Sequence, residues 1–320
     1  MKYKRLGATG LKVSCLGFGT DRNIGSRRSE AESREMLGAA FDAGINLIDT
    51  ADVYSDGEAE RTLGKCLKGR ARESYVLLTK VLGPTGPGPN DRGLSAKHIR
   101  EACEASLARL QLDCADLYLC HGVDEETPLE ETVRTMGEMV QMGKARYWGV
   151  SNWPAHYVVQ ANALAREMSL PGIVVTEDRY NLLYRKPEEA LFPALLAEGA
   201  GCISFSPVAH GVLAGIYKPG ESPPPGTRAA EECADSVTFR LYYNEENKAK
   251  AQELVQLAGD LGATAAALAT AWCMMHPAVD TVLIGAWTVD ELRENTRAAE
   301  LDVPDDVCAR LDELFPPSLV

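Results

Sequence analysis

Asn46-Leu47-Ile48-Asp49-Thr50-Ala51-Asp52-Val53-Tyr54 is a short apolar run that ends in groups able to move protons. Two later runs repeat the design, Leu77-Leu78-Thr79-Lys80 and Asp116-Leu117-Tyr118-Leu119-Cys120-His121. Around them, strand-like and helix-like segments alternate with little else between. The strand candidates are Val13–Gly17, Asn46–Ile48, Tyr75–Thr79, Leu117–Cys120, Arg146–Val150, Ile173–Glu177, Cys202–Phe205 and Thr281–Ile284. They are rich in Val, Ile, Leu and aromatics and do not alternate strictly, which suits parallel strands buried on both faces. Between them lie amphipathic helices. After Ser95, a candidate N-cap, residues Ile99, Cys103, Ser106, Leu107 and Leu110 share one helical face, and Val133, Met136, Met139 and Val140 form another before Gly143. Eight strands alternating with helices predict an α/β chain, a (β/α)8 TIM barrel formed by residues 1–320 as one domain. A doubly wound sheet is the rival, but no G-x-G-x-x-G follows an early strand.

Two segments break the alternation. Gly83-Pro84-Thr85-Gly86-Pro87-Gly88-Pro89-Asn90 follows the Lys80 run, and Lys218 to Asp235, with three consecutive prolines, follows the Phe205 run. Both read as extra loops at the carboxyl-terminal face of the barrel, where such folds place their sites.

The 320 residues are 45% apolar and 25% charged, with a formal net charge of −13. That acidity repels phosphate backbones and anionic lipid, so neither nucleic acid nor a membrane is expected as a partner. The apolar run from Ala263 to Met275 is too short to span a bilayer, and the start at Met1 shows no signal-like apolar stretch. Nine cysteines, an odd number with no C-x-x-C pair, read as reduced thiols of a cytoplasmic protein. The strand-end set of Asp49, Tyr54, Lys80 and His121 contains one His and no Cys or Glu cluster at coordinating spacing, which gives no metal site. No G-x-S-x-G marks a hydrolase nucleophile.

Taken singly, Asp49 is a helix cap, Lys80 a solvated cation, His121 a core group and Tyr54 a packing residue. Delivered together from successive parallel strands, they meet at one face of one barrel. Asp, Tyr, Lys and His in that arrangement resemble the catalytic set of the aldo-keto reductases. Further phrases carry the resemblance: Arg92-Gly93-Leu94-Ser95-Ala96-Lys97-His98-Ile99, Thr127-Pro128-Leu129-Glu130-Glu131-Thr132-Val133-Arg134, and Tyr147-Trp148-Gly149-Val150-Ser151-Asn152. Later come Ser206-Pro207, Ala271-Trp272-Cys273 and Leu283-Ile284-Gly285-Ala286. Within the family the chain is most similar to bacterial reductases that resemble the β-subunits of voltage-gated potassium channels.

The resemblance implies a nicotinamide cofactor and hydride transfer to or from a small polar carbonyl or alcohol, a sugar or sugar derivative among the candidates. Tyr54 would be the general acid and base, Lys80 its tuner, Asp49 the holder of Lys80, and His121 the group that orients the substrate oxygen. A free tyrosine titrates near 10, and an ammonium about 4 Å away would favour its phenolate by about 4 kcal/mol, roughly three units. Ser151 and Asn152 would meet the nicotinamide carboxamide, Phe205 would stack on the ring, and Thr20 and Asp49 would lie near its ribose. The turn Ser206 to Gly215, with Pro207, Val208, Gly211 and Leu213, would meet the pyrophosphate through its backbone, with Gly285, Glu294 and Asn295 toward the adenine.

Four positions depart from the family pattern. Glu177 stands where the family usually has Gln against the carboxamide, and a carboxylate cannot donate there unless protonated. Ile216, Trp287 and Glu291 stand where cationic or hydrogen-bonding groups commonly surround the 2′-phosphate, leaving Arg228 as the one candidate cation. The expected cofactor is therefore NAD(H) in preference to NADP(H). Two alternatives stay open: a cofactor-binding, redox-sensing regulatory subunit with little turnover, and a nucleotide-ketosugar reductase of secondary metabolism. A homo-oligomer is compatible with the resemblance, since the family includes monomers and ring-like assemblies.

Overall fold

The computed structural model describes residues 1–25, 27–232 and 237–317. Ser26 in the Arg22–Arg27 loop, Cys233 and the last residues of the Lys218–Asp235 loop lie outside the described residues. The described residues form ten strands: β1 (Tyr3–Arg5), β2 (Lys12–Ser14), β3 (Leu16–Gly19), β4 (Leu47–Asp49), β5 (Val76–Val81), β6 (Ala115–Cys120), β7 (Ala145–Ser151), β8 (Ile173–Arg179), β9 (Gly201–Phe205) and β10 (Val279–Ile284). The eight from β3 to β10 pair in parallel in chain order, and β10 closes on β3, which makes the barrel. Helices α1 (Glu30–Asp42), α2 (Glu58–Leu67), α3 (Ala96–Leu110), α4 (Leu129–Gln141), α5 (Ala155–Glu167) and α6 (Leu191–Glu198) follow successive strands. Then come α7 (Arg228–Glu232), α8 (Val237–Tyr242), α9 (Glu245–Asp260), α10 (Ala265–Met275), α11 (Val289–Thr296) and α12 (Asp305–Leu314). No single helix among the described residues is long and apolar enough to cross a membrane.

The local chemistry of the helix ends explains where they start. Ser29 accepts from Glu32 N–H, and the Glu32 carboxylate accepts from Ser29 N–H, a reciprocal cap for α1. Ser95 caps α3 as expected, accepting from His98 N–H at 3.3 Å. The predicted α3 face of Ile99, Cys103, Ser106, Leu107 and Leu110 is buried.

The first expected strand, Val13–Gly17, is in fact two. Its first half, β2, pairs antiparallel with β1, and its second half begins barrel strand β3. Periodicity could not separate them, because one unbroken apolar run serves both. The hairpin seals the amino-terminal mouth: Leu6 and Val13 pack with Leu47, Val76, Leu117, Val175, Ile203 and Leu283 inside the barrel. Leu16, Phe18, Ile48, Leu77 and Tyr118 face outward into the layer under the helices. The Lys218–Asp235 segment is also more than a loop, since it contains α7, and an aromatic cluster of Tyr217, Phe239 and Tyr243 pins it, with ring centroids 5.0–6.2 Å apart.

Candidate active site

Side chains alternate along a strand, so a residue two places beyond an inward-facing apolar one also faces inward. Asp49 stands two beyond Leu47, Lys80 two beyond Leu78, and His121 two beyond Leu119, each of those leucines in the interior core. Glu177 follows Val175 and Phe205 follows Ile203 in the same way. The pleat thus changes the barrel filling from apolar to polar at its carboxyl-terminal end. Tyr54 is brought over this layer by the turn after β4, in which Ser55 and Asp56 take φ of 51° and 55° before Gly57 opens α2.

The floor is a hydrogen-bonded cluster. Lys80, fully buried, donates to Asp49, to the Thr50 carbonyl at 3.1 Å and to Tyr54 Oη at 3.0 Å, and lies 3.3 Å from Glu177 Oε1. Burial alone would lower the Lys80 pKa, but Asp49, Glu177 and Tyr54 together hold it well above the usual ammonium range. Burial pushes Asp49 up despite Lys80, and pushes Glu177 up to about 8 with the Asp49 charge as second cause. His121 lies edge-on to Tyr54, ring centroids 5.7 Å apart, and burial with the nearby Lys80 charge drops its pKa to about 3. It is a neutral imidazole at physiological pH.

Tyr54 departs from the expected direction. Lys80 does pull its pKa down, but burial pushes it up more strongly, and the Asp49 and Glu177 charges push the same way. One ammonium shared between two carboxylates has little field to spare. The phenol is a firmly protonated acid in this state.

Above the floor opens a cavity of about 540 Å³. Asp49, Tyr54, His121, Ser151, Asn152 and Glu177 line its inner end. Phe205, half-buried, and the turn residues Ser206, Pro207, Val208 and Gly211 form one wall. Arg228, Ile216, Gly285, Trp287, Glu291 and Asn295 border it further out. Five other expected residues do not line it. Lys80 lies beneath the floor, and Thr20 is fully buried with its N–H on the Asp49 carbonyl. Leu213 packs in the outer core. Gly215, at φ +72°, meets Val255, so that an added Cβ would lie 2.2 Å from its Cγ2. Glu294 pairs with Arg297 at 3.2 Å.

Sequence reasoning missed several residues. Arg22, Asn23 and His210 line the cavity. Asn23 accepts from Ala286 N–H, and an added Cβ on Gly285 would come within 2.3 Å of the Asn23 amide, so the wall there is bare backbone. Arg228 was not the only cation on this side: Arg28 donates to the Ala286 and Trp287 carbonyls at 3.0 and 2.7 Å. The Glu291 carboxylate accepts from Trp287 N–H at 2.7 Å and so also serves the start of α11. The only available signal for Arg28 and Asn23 was their place in a loop at a strand's carboxyl end.

The residues present fit a nicotinamide dinucleotide. The cavity joins a proton-bearing floor to a rim of backbone groups, and Glu177, which lines it, has Oε2 buried with no hydrogen-bond partner among the described residues. Comparisons with known proteins agree. The model of the aldo/keto reductase family matches residues 15–315. The chain is similar to a probable voltage-gated potassium channel subunit beta of Arabidopsis thaliana, 38% identical over 304 residues, 94% of this chain and 92% of the relative. A protein of the same description from Oryza sativa subsp. japonica is also 38% identical over 304 residues, with the same coverage.

Proposed function

The chain belongs to the aldo/keto reductase family, whose members are nicotinamide-dependent oxidoreductases, and from that premise we propose that it interconverts a small polar carbonyl compound, such as a sugar derivative, and its alcohol, with Tyr54 as general acid and base. The observation that carries this reading is Tyr54 Oη on the cavity, 3.0 Å from a buried Lys80, with neutral His121 beside it.

The bound cofactor would supply or accept the hydride. Ser151, Asn152, Glu177 and Phe205 would hold its nicotinamide end at the floor, and the Ser206–Gly211 turn with Gly285 and Asn295 would hold the rest. The chain's own work is proton transfer and orientation. His121, uncharged, donates a hydrogen bond to the carbonyl oxygen without adding a cation that would compete for a proton. Tyr54 gives its phenolic proton to the same oxygen as the carbon receives hydride, and in the oxidative direction takes it back. Lys80 stabilises the phenolate so formed, and Asp49 keeps Lys80 charged and in place.

For the cofactor, NAD(H) is preferred over NADP(H). Ile216, Trp287 and Glu291 bring no cation to the rim, and a carboxylate repels a 2′-phosphate. Because Arg28 lies nearby and Glu291 is committed to the Trp287 N–H, the preference is smaller than an isolated charge would give, about tenfold rather than a hundredfold.

A second reading draws on the relatives' description as channel β-subunits: a cofactor-binding sensor with little turnover. A steady-state screen of alcohols and carbonyl compounds with both cofactors separates the two. Turnover of any panel compound that Tyr54→Phe abolishes supports the enzyme; tight cofactor binding with no turnover across the panel would favour the sensor.

A further inference from the structure

The floor of the cavity has an uneven charge balance. One ammonium, Lys80, faces two carboxylates, Asp49 and Glu177, all three essentially inaccessible to water. With every group ionised, the cluster would hold one uncompensated negative charge in a low-dielectric interior, which is strongly disfavoured. Asp49 makes the closer contact with Lys80 and keeps its charge. Glu177 stands off at 3.3 Å through Oε1, while Oε2 is buried without a hydrogen-bond partner among the described residues, on a residue that lines the cavity.

Among the described residues, the surroundings of Glu177 offer no second cation. Tyr54 faces it from the turn after β4 as a neutral phenol, and Asp178 follows it on β8, a second carboxyl that burial raises to about 7. The paired strands present Ser151 from β7 and Ile203 from β9, neither of which titrates. The buried thiol of Cys202 on β9 is held neutral by burial. His121 is neutral across the accessible range. The charge excess therefore has two remedies: a proton on Glu177, or a cationic group at the floor.

A nicotinamide ring is such a group in only one of its two oxidation states. The oxidised ring carries a positive charge and the reduced ring none. The nicotinamide end that Ser151, Asn152, Glu177 and Phe205 would hold would bring that charge to this floor. We propose that Glu177 makes the site discriminate oxidised from reduced cofactor, with a proton and the cationic ring competing for its uncompensated carboxylate. The inference rests on the oxidoreductase reading above. Glu177 acts here as a positioning residue, since it takes no part in proton transfer to the substrate. Linkage requires the effect to be reciprocal: NAD⁺ expels the proton by the same factor by which the proton weakens NAD⁺. Burial, which raises the carboxyl to about 8, sets the pH range in which the competition operates.

The test measures equilibrium binding of NAD⁺ and NADH separately, without substrate, by quenching of tryptophan fluorescence. Raising the pH from about 6 to about 9, across the Glu177 midpoint, should tighten NAD⁺ relative to NADH by about tenfold or more, as one nearby charge would at an effective dielectric near 20. Glu177→Gln keeps the shape and removes the charge, so its ratio should stay flat. Asp178→Asn should keep the wild-type dependence. A second readout needs no cofactor. A carboxyl whose folded pKa is raised contributes stability that is present below its unfolded pKa of about 4.3 and lost as pH rises through about 8. The melting temperature of the wild type relative to Glu177→Gln should therefore fall across that window. A flat wild-type ratio, the same dependence in Glu177→Gln, or its loss in Asp178→Asn would each overturn the proposal. Failure of the wild type to bind NAD⁺, NADH and their 2′-phosphorylated counterparts would instead remove the oxidoreductase reading on which it stands.

Discussion

The two mouths of the barrel are built on opposite principles. At the amino-terminal mouth the polar groups around the hairpin find partners. Lys4 donates to the Met274 and Val279 carbonyls at 3.1 and 2.9 Å, Gly7 N–H donates to Asp280 at 2.7 Å, and Ser14 and Asn46 bond each other twice. Even the groove there, about 820 Å³ and larger than the cavity at the other end, holds an ion pair between Arg72 and Asp116 at 2.6 Å. At the carboxyl-terminal mouth, Glu177 Oε2, Thr50 Oγ1 and His210 Nε2 are buried without a partner among the described residues. Backbone strain gathers at the same end, with positive φ at Arg22, Ser55, Asp56, Asn152, Ser206, Ala209 and His210. Volume does not mark the site; unmet polar groups and strained backbone do.

If that division is real, mutations at the two mouths should separate chemistry from stability. The largest effect expected is from Tyr54→Phe, which removes the acid and should lower kcat by about 10² to 10⁴-fold. Its melting temperature should stay within a few degrees of wild type; a rate within about threefold of wild type would take Tyr54 out of the acid role. The mirror experiment is Leu6→Ala in the amino-terminal plug. Truncating a fully buried leucine should cost about 2 to 5 kcal/mol in denaturant unfolding while leaving kcat unchanged. A large loss of kcat there, measured well below the melting temperature, would erase the distinction between the mouths.

Smaller effects sharpen the account of the floor. Lys80→Met removes the pull toward phenolate, so the alkaline limb of the oxidative pH–rate profile should move upward by a unit or more. Asp49→Asn should move it the other way and by less, because the Asp49 charge itself disfavours the phenolate. A common sign for both variants would mean that Asp49 acts on Tyr54 only through Lys80. The least effect is expected from Glu291→Gln at the rim. It should narrow the NADH preference in kcat/KM by no more than a fewfold and cost about 0.5 kcal/mol of capping. No change in cofactor ratio would assign Glu291 to the helix start alone.

Much of this geometry was readable before any coordinates. Asp49, Lys80 and His121 each end an apolar run, and in a parallel barrel strand ends share a face, so their convergence follows from spacing. The eight-strand barrel followed from the same alternation. What could not be read depends on contacts between residues far apart in the chain. The split of Val13–Gly17 depends on where the hairpin folds back. The raised Tyr54 pKa depends on its burial first, and then on the Asp49 and Glu177 charges that meet at Lys80, so the Lys80 charge taken alone points the wrong way. Leu213 and Gly215 were correctly placed in a turn beside the cavity, but one faces the core and the other α9. Arg28 was overlooked because its guanidinium bonds backbone carbonyls, which leave no trace in composition or motif.

The plug also bears on how the chain is made. Gly7 and its partner Asp280 are separated by 273 positions. At about 5 to 20 residues per second of synthesis, the first hairpin waits roughly 15 to 55 s for the strand that seats it. Throughout that interval β3 has an open edge on the side that β10 will fill, and Leu6 and Val13 have only part of their final packing. Closure therefore waits for β10, and until it emerges the open edge of β3 is exposed to pairing with another chain.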